Sequence, residues 1–103
     1  MDKFKLVKNG ETLDIRSQEG DKIATITDVK SFRNFQNGYV AVEFITKRYC
    51  DNDKPCECKW GFVDTKGNIV VEPKYIYVSN VNSHGNAYVE LIQFEGEVIK
   101  VGE

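Results

Sequence analysis

Val40, Val42 and Phe44 alternate with Ala41, Glu43 and Ile45. The same alternation sets Ala87, Val89 and Leu91 against Tyr88, Glu90 and Ile92. A period of two with one predominantly apolar face predicts β-strands covered on one side. No segment carries a sustained 3.6-residue apolar stripe, so little or no helix is expected. A single helical turn around Ser31 to Phe35 is the one exception anticipated.

Turn chemistry places the hairpins. Phe4 to Lys8 and Glu11 to Ile15 flank Asn9-Gly10, a pair that accepts positive φ at both central positions. Leu91 to Phe94 and Glu97 to Val101 flank Glu95-Gly96 in a similar way. Between them, Val40 to Tyr49 is expected to pair with Lys59 to Val63 across a longer loop, as a lengthened version of the outer hairpins. Further turns are expected at Gln18-Glu19-Gly20-Asp21 and Thr65-Lys66-Gly67-Asn68. Pro73 should end the pairing of Ile69 to Val71.

The pattern repeats. Gly20 and Gly67 stand 47 residues apart, as do Gly38 and Gly85, Val42 and Val89, Glu43 and Glu90, and Ile45 and Ile92. The expected organisation is one domain over 1–103, with copies at about 13–45 and 60–92 and a terminal hairpin over 88–101. A unit of this kind cannot bury its apolar face alone, so neighbouring copies must share a core.

Lys59-Trp60-Gly61-Phe62-Val63-Asp64, Lys66-Gly67, Ile69-Val70-Val71, Pro73, Tyr75, Gly85 and Ala87 through Val89 follow one another in an order that resembles the WG-repeat (KWG repeat) family. The earlier copy is degenerate: Leu13-Asp14-Ile15 replaces the Trp-Gly segment and Ile26 the proline, while Gly20, Phe35, Gly38 and Val40-Ala41-Val42 remain. The resemblance implies an all-β repeat scaffold or interaction module with no reaction assigned to the repeat. The fold expected is all-β, with antiparallel hairpins from two degenerate WG-type repeats plus the terminal hairpin, about eight strands in all. It should form a small barrel-like or solenoid fragment.

Composition supports sheets and narrows the partners. Six Phe, five Tyr, one Trp and eight Gly among 103 residues suit pleated strands joined by tight turns. A net charge of −2, from 14 basic and 16 acidic residues scattered along the chain, argues against a nucleic-acid binder with a Lys/Arg stripe. Met1-Asp2-Lys3-Phe4-Lys5-Leu6 does not lead into a signal-like apolar run. Nor does any apolar run approach the ~20 residues that span a bilayer. A cytoplasmic protein without membrane contact is expected.

Candidate chemistry is sparse. Trp60 aligns with Leu13 and is expected to pack in the core, with Gly61 beside it allowing close strand approach. Cys50, Cys56 and Cys58 form the one constellation of metal-binding type, and His84 would complete four ligands suited to zinc. Their C-x5-C-x-C spacing is not a standard zinc pattern, and free thiols or a Cys50–Cys56 disulfide remain alternatives. Asp51, Asp53 and Glu57 lack the alternating pattern of a calcium loop. Ser83-His84 lacks a nucleophile setting, so an enzyme is not expected.

Tyr39, Tyr49, Tyr77 and Tyr88 fall at outward positions and Phe94 at a turn, either as an interface or as partly covered core. The inserted tip exceeds what the repeat needs, and Tyr49, Asp51, Asp53, Lys54 and Glu57 are its expected contacts with a protein partner. The function expected is non-catalytic protein binding, with a small inhibitor or immunity-type protein as its specific form. A zinc or thiol protein using the Cys50–Cys58 loop, and a fragment self-associating through edge strands, are the alternatives.

Overall fold

Tight turns every few residues cut the chain into short strands that pair antiparallel with their neighbours. A computed structural model describes residues 4–33, 35–47 and 57–102. Among them run ten strands: β1 (Lys5–Asn9), β2 (Thr12–Arg16), β3 (Lys22–Ile26), β4 (Val29–Phe32), β5 (Tyr39–Lys47), β6 (Glu57–Asp64), β7 (Ile69–Tyr75), β8 (Tyr77–Val78), β9 (Asn86–Ile92) and β10 (Glu95–Lys100). This is more than the eight expected. Asp28, at a φ of 60°, separates β3 from β4, and Ile76 separates β7 from β8, where the chain leaves one sheet for the next.

The strands form three sheets in the orders β1-β2-β3, β4-β5-β6-β7 and β8-β9-β10. Two cores join them. Leu13, Ile15 and Ile26 of the first sheet pack with Val29, Val40, Val42, Phe44 and Val63 of the second. Ala41, Phe62 and Tyr75 of the second pack with Val78, Ala87 and Val89 of the third, together with Val81 and Val101. Strands β5 and β6 pair Val40 with Val63 and Ala41 with Phe62, so successive rungs serve opposite cores. The middle sheet is therefore covered on both faces, which corrects the expectation of strands covered on one side. The stack is open and closes no barrel.

Each sequence copy spans two sheets: β2 and β3 lie in the first and β4 and β5 in the second, and β6 through β9 repeat this one layer on. Three turns share one hydrogen-bond pattern. In each, a polar residue's N–H donates to the carbonyl four residues on, as from Ser17 to Asp21, Asp64 to Asn68 and Asn82 to Asn86. Its side-chain oxygen then accepts the N–H of that fourth residue. Gly20, Gly67 and Gly85 supply the positive φ between them.

Several local expectations are corrected. Ser31 and Phe32 are strand and not helix, because Ser31 pairs with Glu43 and its hydroxyl donates to the Glu43 carboxylate at 2.7 Å. Asn9 pairs with Thr12, so the first turn is Gly10-Glu11, with positive φ at Gly10 alone, the arrangement of a type II′ turn. The Asn-Gly turn with both residues at positive φ occurs instead at Asn37-Gly38. Glu95 pairs with Ile92, so the last hairpin turns at Gln93-Phe94 and not at Glu95-Gly96. Pro73 interrupts pairing without ending it, since Val71 pairs with Phe62 and Tyr75 with Trp60 on either side of a bulge.

Candidate protein-interaction surface

Tyr49, Asp51, Asp53, Lys54, Cys50 and Cys56 lie outside the described residues. Glu57 opens β6, exposed and paired with Lys47, and Cys58 is a half-buried free thiol opposite Ile45. His84 sits in the exposed turn that enters β9, its N–H donated to Asn82 Oδ1. Among the described residues no three His, Cys, Asp or Glu side chains gather into a metal-binding group. No helix there is long and apolar enough to cross a membrane.

Trp60 borders the second core, half-buried. The Arg33 guanidinium lies 5.0 Å from its ring centroid and 5.4 Å from that of Tyr77, and Nη1 donates to the Val78 carbonyl at 2.5 Å. One cation thus fastens the second sheet to the third through two aromatic faces and a backbone acceptor. Sequence reading missed Arg33. Its chemistry depends on Trp60 and Tyr77, which only folding brings beside it.

The two ends of the stack differ. On the first sheet, the Asp14 carboxylate accepts from Thr25 Oγ1 at 3.0 Å and from Arg16 Nη2 at 3.2 Å. The Thr25 bond, with help from Lys22 and Arg16, holds its pKa below the ordinary aspartate value despite desolvation. At the other end, Tyr77, Tyr88 and Val98 stand exposed on the outer face of the third sheet. The rings of Tyr77 and Tyr88 are 6.3 Å apart, and Tyr88 donates to Glu90 at 2.7 Å, which raises the phenol pKa. The outward placement of Tyr77 and Tyr88 agrees with the alternation. Tyr39 instead packs against the second core, its ring over Gly102.

Among the described residues, the β9–β10 hairpin carries the most exposed large apolar side chain. Phe94 is 85% exposed and holds a φ of 65°, a left-handed conformation that costs a non-glycine residue on the order of 1 kcal/mol. Leu91 and Ile92 precede it, both exposed. Leu91 is 53% exposed, whereas Phe44, its counterpart 47 residues earlier, is 6% exposed within the first core. Beneath the hairpin a cleft of about 230 Å³ is lined by Tyr75, Val89, Leu91, Ile92, Glu95, Gly96 and Glu97. Sequence reading had Phe94 and missed Leu91, because alternation alone sends it toward the core.

Stacked antiparallel sheets built from one recurring unit, with cores shared between neighbouring layers, define an all-β repeat module. Residues 60–91 match the family model of the WG containing repeat. That segment, from Trp60 in β6 to Leu91 in β9, is similar to a WG-type repeat. Searches of curated proteins and of solved structures returned no match.

Proposed function

We propose that the protein is a non-catalytic protein-binding module that engages its partner through the β9–β10 hairpin and the adjoining Tyr77–Tyr88 face. The observation that carries this reading is the contrast between Leu91 and its repeat counterpart Phe44. The same position is sealed in one layer and uncovered in the next. Phe94 strengthens the reading, since large aromatic anchors dominate the energetics of interfaces. Inhibition or neutralisation of the partner is the specific form proposed, because the hairpin offers contact area and no reacting group.

The test is capture of a protein partner from the source organism's lysate on immobilised wild type, Phe94→Ala and Leu91→Asp. A defined partner held by the wild type and lost from both variants supports the reading. Equal recovery on all three rejects this surface.

A further inference from the structure

The geometry points to a partner class for this surface: the cleft beneath the β9–β10 hairpin receives an apolar side chain carried on a basic segment of another protein. The inference rests on the reading of the protein as a binding module. The cleft, at about 230 Å³, has room for one large side chain and is smaller than pockets that enclose whole drug-sized ligands. Its floor is apolar, made by Tyr75, Val89 and Leu91. Its rim is acidic, with Glu95 and Glu97 along β10.

Charge selects the occupant. From Val89 to Ile99 the chain carries Glu90, Glu95 and Glu97 and no Lys or Arg, although the whole protein is only −2. A second copy inserting its own Phe94 would bring its Glu95 and Glu97 against the same two carboxylates at the rim, and like charges facing across an interface oppose association. A segment with Lys or Arg on either side of an apolar residue meets the opposite condition. The cleft's Tyr75 already attracts a cation from within the chain, since Lys74 Nζ lies 5.4 Å over its ring. An incoming basic side chain pairs with Glu95 or Glu97 at the rim while its apolar neighbour fills the floor.

The experiment titrates the full chain, isotopically labelled, with capped peptides of sequence Gly-Lys-Phe-Lys-Gly, Gly-Glu-Phe-Glu-Gly and Gly-Lys-Ser-Lys-Gly, and follows backbone amide shifts. The Lys-Phe-Lys peptide is expected to shift Val89, Leu91, Gly96 and Glu97. It should bind roughly fivefold more tightly than either control, and by a similar factor more tightly than to a Glu95→Gln/Glu97→Gln variant. Equal binding of all three peptides, or no shift at those amides at millimolar peptide, overturns the inference. Shifts at the same amides on concentrating the protein without peptide also overturn it, because they place a second copy in the cleft. If the peptides fail while Phe94-dependent capture persists, the binding reading stands and the partner class falls.

Discussion

Val71 directs its carbonyl oxygen at Gly61 so closely that a Cβ there would stand 2.5 Å away, with Pro73 N at 3.0 Å. The bulge of β7 around Pro73 lies against that bare Cα, and only then can Tyr75 return to pair with Trp60. The Trp-Gly dipeptide is thus one device: glycine admits the bulge and tryptophan covers the edge of the core. In the degenerate copy Asp14 takes the glycine position, and β2 pairs with β3 through Asp14 and Thr25 without such a bulge. Gly61→Ala should therefore destabilise by about 1–3 kcal/mol, read from the urea midpoint. Its φ is not in the positive region, so the loss is steric.

Gly96 makes a useful contrast. A Cβ there would meet the Tyr88 ring within 2.5 Å, and a side chain can move aside where a backbone cannot. Gly96→Ala should cost less than Gly61→Ala and should displace Tyr88 from Glu90. The phenol of Tyr88 is held above 10.0, first by its bond to Glu90 and then by desolvation. A raised pKa contributes stability below pH 10.0 that is lost as pH rises through the folded value. Ultraviolet titration should find the Tyr88 transition moved down toward 10.0 in Glu90→Gln and in Gly96→Ala.

Arg33 is not replaceable by lysine at this site, because the planar guanidinium faces two rings while donating to Val78. Arg33→Met and Arg33→Lys should each lose about 1–2 kcal/mol. Trp60 is the sole tryptophan, so its fluorescence reports the change directly. An unchanged emission spectrum in Arg33→Met would contradict the clamp.

Acid should weaken the fold through Asp14 and Asp64. Burial would raise the Asp64 pKa, but the N–H groups of Asn68 and Lys66 outweigh it and bring it below 3.8. For Asp14 the Thr25 bond leads in the same direction. Depressed carboxyls contribute stability that is complete above 3.8 and lost as pH falls through their lower folded values. Asp64→Asn keeps the turn, as Asn82 does in its own loop, and should flatten the acid limb. Asp64→Ala should cost about 1 kcal/mol or more at neutral pH in thermal unfolding.

Phe94→Asn should stabilise the protein by about 0.5–1 kcal/mol, because Asn tolerates a φ of 65°. It should abolish partner capture at the same time. Higher stability with undiminished capture would show that Phe94 is not an anchor.

Much of this architecture was legible in local chemistry. The 47-residue offset, the central β5–β6 pairing and the two turns before Gly20 and Gly67 follow from residues adjacent in sequence, whose φ preferences act without distant help. The shift of the first turn to Gly10-Glu11 and of the last to Gln93-Phe94 was not legible, since a glycine signals positive φ, a bulge or room for a ring equally well. Gly96 serves the Tyr88 ring, contributed by the partner strand.

The sequence by itself determined that the chain is strands, where most of them bend and that they form a repeated unit. It also marked Tyr77 and Tyr88 as outward. Tertiary structure alone decided which faces are covered. Ala41 and Val42 look like an inner and an outer residue, yet both are buried, because a sheet lies on each side of β5. Leu91 repeats Phe44 in sequence and differs from it in burial. The alternation of a strand specifies two faces, but only the neighbouring layers determine which of them meets water.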